Sequence, residues 1–151
     1  MVRWRKRKII KAMTLKELIE KIKTIARKQH NIGYVGEGDI YTLNSMPNID
    51  YSVIFITQQN HSITADLCEY NINLFYVDRL FGDDGNRLDI QSHGITVITN
   101  IINQLTSTID VDVEYPVSFT TFTQRFSDEC AGVFATLKIT TDNEIGMCSY
   151  E

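Results

Sequence analysis

The stretch LCEYNINLFYVD, at residues 67–78, decides the fold of this 151-residue chain. Apolar side chains occupy every second position from Tyr70 to Tyr76, and asparagines separate the first three of them. Successive side chains of a β-strand point to opposite faces of a sheet, so this alternation predicts a long strand with one buried face. The β-branched and aromatic run at residues 51–57 predicts a second strand, with a turn at residues 58–62. We therefore expect an antiparallel hairpin.

Helical periodicity predicts one helix on each side of this hairpin. Residues 15–28 carry apolar side chains on one face, and Thr14 with Glu17 matches the T-x-x-E capping box that begins many helices. Residues 87–105 predict the second helix. Gly94 and several β-branched residues weaken its intrinsic helix propensity, so tertiary burial must stabilise it.

The remaining segments complete the predicted fold. Residues 110–126 alternate as a strand, with Pro116 indicating a sheet edge or a bulge, and residues 132–141 predict the last strand. Residues 33–39 contain three glycines and predict a loop, whereas residues 40–43 fit either a short strand or a helical turn. The sequence thus predicts an α+β fold in the order α-β-β-α-β-β, with an antiparallel sheet and two main helices packed on one face.

Charge is distributed very unevenly along the chain. Residues 1–28 contain eleven lysines and arginines against two acids, for a net charge of +9, whereas residues 29–151 have a net charge of −13. A basic end suits phosphate or an acidic protein surface, but an acidic body repels nucleic acid. We expect three regions: residues 1–12 as a basic N-terminal arm or upstream extension, residues 13–141 as a single α+β domain, and residues 142–151 as a C-terminal tail.

The basic arm has two interpretations. Met13 directly precedes the capped helix, so translation from Met13 would make the preceding residues an upstream extension. Translation from Met1 would give a genuine arm with Trp4 as an anchor, and clustered basic residues are typical of contact with nucleic acid. The residues of the arm are Arg3, Trp4, Arg5, Lys6, Arg7, Lys8 and Lys11.

Motifs for catalysis or for cofactor binding are lacking. The three cysteines form no C-x-x-C pair, the histidines are scattered, and no nucleophile–base pair is apparent from spacing. We therefore predict no enzyme activity, no metal, no cofactor and no membrane segment. The acidic turn fits a calcium loop poorly, and a solvated helix N-terminus explains it more simply. Its members are Asp78, Asp83, Asp84, Asn86 and Asp89.

Four segments of the chain resemble the tail-terminator, or tail-completion, proteins of tailed bacteriophages, most closely those of Bacteroides and crAss-like phages. The segments are residues 15–25, YSVIFITQ at 51–58, YNINLFYVDRL at 70–80, and FTQRFSDECAGVFATLKITT at 122–141. The resemblance implies a structural virion protein that forms a ring of six or twelve copies at the head–tail junction. It further implies a sheet facing a central channel for double-stranded DNA, neighbouring portal, adaptor and tail proteins, and no active site.

Loops and strand edges are the expected contacts in such a ring. Threonine-rich strands suit strand addition by a neighbouring subunit, although they also fit the solvated face of a sheet. The candidate contact residues are Gln58, Gln59, Asn60, His61, Asp83, Asp84, Asn86, Arg125, Asp128 and Glu129. The alternative function is a small nucleic-acid-binding or regulatory protein that uses the basic arm; an enzyme built on the acidic loop is a weaker third hypothesis because it lacks paired catalytic groups.

Overall fold

A computed structural model describes residues 12–45, 49–82, 85–107, 111–125 and 129–143. These residues form an α+β fold with one mixed sheet of seven strands and three helices. In chain order the elements are α1 (Leu15–Arg27), β1 (Tyr34–Glu37), α2 (Ile40–Ser45), β2 (Val53–Gln58), β3 (Ser62–Ile63), β4 (Leu67–Arg79), α3 (Arg87–Thr106), β5 (Asp112–Val113), β6 (Ser118–Arg125) and β7 (Glu129–Asp142).

The two longest strands form the centre of the sheet. β4 and β7 pair antiparallel along their whole length, from Leu67 opposite Asp142 to Arg79 opposite Cys130. β2 pairs antiparallel with the other side of β4, which confirms the predicted hairpin. The strand order is β1-β2-β4-β7-β5, and β3 and β6 pair with β4 and β7 respectively.

Both strands that flank the central pair are interrupted. β5 and β6 lie along the same side of β7, where the four residues 114–117 stand opposite only residues 137 and 138. Pro116 lies within this insertion, so the predicted edge or bulge at Pro116 is confirmed. On the other side, residues 59–61 stand between β2 and β3 opposite only residues 70 and 71 of β4.

The predicted sheet and element order require correction. The sheet is mixed, because β1 pairs parallel with β2 within the segment that was expected to be a loop. Hydrogen bonds from Gly33 N to Ser52 O (2.8 Å) and from Gly38 N to Ile56 O (3.0 Å) extend this pairing. The described order is α-β-α-β-β-β-α-β-β-β, since residues 40–43 fall in helix α2 and residues 110–126 contain two strands.

The main core lies between the sheet and the two long helices. Side chains of α1 and α3 share one cluster with the apolar face of β4 that the alternation predicted. A smaller cluster of Val53, Phe55, Val77 and Cys130 lies on the other side of the sheet, where Ile40 of α2 packs against it. The described helices do not include one long and apolar enough to cross a membrane.

The first helix begins as the sequence predicts. Glu17 N donates to Thr14 Oγ1 (3.2 Å) and Thr14 N donates to Glu17 Oε1 (2.9 Å), so the capping box is formed. The phenol of Tyr70 on β4 donates to Met13 O (2.8 Å), which attaches the start of α1 to the sheet. Burial is the main cause that raises the pKa of Tyr70 to about 12. The neutral, donating form of this phenol is therefore retained.

Gly94 explains how α3 approaches the sheet. A Cβ atom at this position would lie 2.6 Å from Val133 Cγ1 and 2.7 Å from Tyr76 Cδ2. Both distances are far below van der Waals contact, so a side chain here would push the helix away from β4 and β7. The glycine that weakens the helix propensity of α3 is therefore the residue that allows its close packing.

We predict that Gly94→Ala destabilises the protein by about 1–3 kcal/mol, because the methyl group overpacks the helix–sheet contact. At an exposed helical position the same change would stabilise by roughly 0.8–1 kcal/mol through helix propensity. Ser92→Ala is the matched control, since Ser92 is exposed on the same helix. Urea denaturation measures both variants, and equal or higher stability of Gly94→Ala would contradict the packing argument.

Candidate functional site

The sheet face opposite α1 and α3 is a candidate surface, and the charged side chains at one end of it are paired. Thr136 Oγ1 donates to Asn73 Oδ1 (2.8 Å) across β7 and β4. Lys138 Nζ lies 3.5 Å from Glu69 Oε2 and 3.3 Å from Glu114 Oε1. The hydrogen bond to Glu114 is the main cause that raises the pKa of Lys138, so this lysine stays charged between two carboxylates.

The other end of the same face is aromatic. The ring of Phe75 lies 4.9 Å from the ring of Phe134 and 6.0 Å from the ring of Phe122, measured between centroids. All three rings are half-buried, and those of Phe75 and Phe122 pack against the smaller apolar cluster. The face therefore changes from polar to apolar along the strands, with threonine and phenylalanine side chains open to a neighbouring molecule.

The predicted contact residues Gln58, Gln59, Asn60 and His61 form an ordered bulge rather than an open turn. Gln59 N donates to Asn71 O (2.8 Å), and Asn71 Nδ2 donates to Asn60 O (2.8 Å). His61 Nδ1 accepts from Asn71 N (3.2 Å), while its Nε2 lies 3.1 Å from Gln58 Oε1. Both ring nitrogens thus have partners, and His61 fixes the bulge. An open cleft of about 500 Å³ is lined by Gln59, Asn60 and Asn71.

A second group of predicted contacts lies at a different place, where β4 ends and β7 begins. Asn86 Oδ1 accepts from Phe81 N (2.9 Å), and Asn86 Nδ2 donates to Arg79 O (3.1 Å). Leu80 N donates to the carbonyl oxygen of Glu129 (2.9 Å), which joins the end of β4 to the start of β7. Arg125 stands opposite Glu129 at the end of β6.

Several predicted residues lie outside the described part of the chain. They are Asp83, Asp84 and Asp128 among the contacts and Arg3, Trp4, Arg5, Lys6, Arg7, Lys8 and Lys11 of the basic arm. Of the acidic turn, Asp78 accepts from Ser52 and from Arg79 N, and Asp89 lies in the first turn of α3. Within the described ranges, no three histidine, cysteine or acidic side chains are grouped to hold a metal ion.

A buried polar chain joins β2 to β4, and the sequence analysis did not identify it. The phenol of Tyr76, which is 2% exposed, donates to Ser52 Oγ (2.9 Å), and Ser52 donates to Asp78 Oδ2 (3.1 Å). Burial is the main cause that raises the pKa of Tyr76, so the phenol remains a donor. The predicted burial of Tyr76 was the available signal, since a buried tyrosine hydroxyl usually requires a partner.

We predict that Ser52→Ala lowers the free energy of unfolding by about 1–3 kcal/mol, because it leaves the buried Tyr76 hydroxyl without its acceptor. Tyr76→Phe removes the hydroxyl itself and leaves Ser52 bonded to Asp78, so its cost is smaller, about 0.5–1.5 kcal/mol. Urea denaturation of both variants and of the double variant measures the coupling. Costs that add fully would show that the two hydroxyls do not interact.

No protein-family model matches this chain, and no curated protein sequence matches it.

Proposed function

We propose that this protein is a non-enzymatic structural subunit of a tailed bacteriophage. In this proposal it forms a ring of six or twelve copies at the head–tail junction, as a tail terminator or neck protein beside portal, adaptor and tail proteins. Double-stranded DNA passes through the ring, and the sheet face opposite α1 and α3 lines the passage. The resemblance across residues 13–141 motivates the proposal, and the charge of the sheet face supports it.

The main support for a DNA passage is the environment of Lys138. A basic wall would retain DNA, because lysines and arginines that bind phosphates release counterions from the duplex. On this sheet face, Lys138 is instead held between Glu69 and Glu114, and its neighbours are threonine and asparagine side chains. Such a surface should bind the phosphates of the duplex only weakly, as a passage for DNA requires.

We assign the contacts with adjoining proteins to the surface around Asn86. Phe81 is 68% exposed and Leu88 is 70% exposed, so large apolar side chains stand on both sides of this asparagine. Glu129 begins the neighbouring strand and is also exposed. Apolar side chains surrounded by polar ones are common at protein interfaces.

Neutralising the two carboxylates beside Lys138 tests the proposed role of this sheet face. Changing Glu69→Gln and Glu114→Gln together leaves Lys138 uncompensated, so affinity for double-stranded DNA at low salt should rise roughly three- to tenfold and depend more steeply on salt. The control pair Asp66→Asn and Asp89→Asn changes the net charge equally at exposed positions away from Lys138. Fluorescence anisotropy with a short duplex measures both, and equal increases would contradict a special role for this face.

Assembly provides the decisive test of the proposed function. Mass spectrometry of purified particles of the phage that carries this gene should detect the full chain. Electron microscopy of the same particles should place it at the head–tail junction. Native mass spectrometry of the protein with its neighbouring tail proteins should show six or twelve copies. Absence of the chain from particles that contain the other neck and tail proteins would overturn the proposal.

A further inference from the structure

Strand β6 is a long sheet edge without the usual protection. Among the described residues it pairs only with β7, so its other side presents backbone N–H and C=O groups. Proteins usually protect such edges with lysines, prolines, bulges or short strands, because exposed edges pair with other chains. Residues 118–124, SFTTFTQ, contain neither a charge nor a proline.

The opposite edge of the sheet differs in these respects. β1 has only four residues and includes Gly36, whereas β6 has eight residues, of which only the last, Arg125, is charged. β5, which precedes β6 on the same side of β7, has two residues and is separated from it by the insertion at Pro116. Protection is therefore present at β1 and before β6, but it is lacking along β6 itself.

Side-chain exposure along β6 also indicates a missing neighbour. Ser118, Thr120, Thr121 and Thr123 are exposed although they alternate between the two faces of the sheet, and Phe122 is only half-buried. On the face of β4 and β7 that contacts the helices, in contrast, alternate residues are buried from Cys68 to Tyr76 and from Ala131 to Thr141. β6 therefore lies at the margin of the helix layer, where a further strand would find space on both faces.

We propose that β6 pairs antiparallel with β6 of a second copy of this chain about a two-fold axis at Thr121. Thr121 is the centre of the uncharged run, so this register pairs all seven residues without placing like charges opposite each other. Phe122 then lies opposite Thr120 of the second copy, and aromatic–threonine pairs of this kind are favourable across strands. Residues 118–124 of the edge are uncharged, so no like charges lie directly opposite each other within the paired run.

The two-fold arrangement has a structural consequence. Each β6 edge is used up by the other, so strand addition ends at two copies and does not continue into a fibre. The sheet becomes continuous across the axis, with α1 and α3 of both copies on the same side. This inference does not depend on the proposed virion role, because it concerns the free subunit.

Charge substitutions at residue 121 test this register, because Thr121 of one copy lies opposite Thr121 of the other. Thr121→Lys and Thr121→Glu place like charges opposite each other, so each variant alone should dimerise at least about tenfold more weakly than the unaltered chain. Mixing the two variants pairs Lys with Glu, and dimerisation should return. Sedimentation equilibrium of the full chain measures all three, with thermal melts to verify folding. Thr96→Lys, at an exposed position on α3, is the matched control and should dimerise like the unaltered chain.

Each other outcome contradicts the proposal. An unaltered chain that stays monomeric at about 100 μM would overturn it, because a specific dimer should have a dissociation constant below this concentration. So would an assembly that Thr121→Lys leaves unchanged, because the contact would then lie elsewhere. If the mixture of Lys and Glu variants fails to associate while the unaltered chain does, the two-fold register at Thr121 is wrong.

Discussion

The antiparallel pairing of β4 with β7 is the interaction on which the other elements depend. β2 and β3 attach to the outer side of β4, and β5 and β6 attach to the outer side of β7. Tyr76 connects this pair to α3 and to the start of β2: its ring lies beneath Gly94 of α3, and its hydroxyl donates to Ser52 before β2. A Cβ atom at Gly132 would meet the carbonyl oxygen of Tyr76, so the backbones also approach closely there.

The same pairing creates two faces of different character. α1 and α3 cover one face and bury the alternating apolar side chains of β4 and β7. On the other face, Ile40 of α2 and Ile49 pack against the smaller apolar cluster, and among the described residues the outward side chains of β4 from Glu69 to Phe75 are only half-buried. Lys138, between two carboxylates, and the three phenylalanine rings then determine what this face can bind.

Local patterns account for the parts of the fold that the sequence predicts well. The alternation in β4 and the capping box at Thr14 depend on residues within a few positions of each other, so they are readable without a partner. β1 was missed because backbone hydrogen bonds to residues 52–56, rather than its side-chain pattern, support it. The Ser52–Tyr76 contact spans 24 positions, and no local signal identifies which hydroxyl a buried tyrosine will reach.

In the candidate site too, the sequence predicts side-chain character better than it predicts contacts. The sequence selects residues 58–61 as polar and exposed, but only the register against Asn71 shows that they form a bulge. Asn86 was expected at a surface loop, and its amide instead joins that loop to the end of β4. Side-chain chemistry was therefore predictable at these positions, whereas the partners were not. The contacts of Asn60 and His61 with Asn71 depend on strand register, and those of Asn86 depend on where β4 ends.

The charge of the β6 edge affects the sheet face opposite α1 and α3, because the two surfaces adjoin. Lysines along β6 would protect the edge from pairing, but they would also add positive charge beside that face. If that face lies next to DNA as proposed, such lysines would strengthen phosphate contacts and hinder passage. Acidic side chains would avoid this, yet they would add to a body whose net charge is already −13 over residues 29–151. Pairing with a second neutral strand protects the edge without adding charge of either sign, which is why a partner strand is the solution that fits both surfaces.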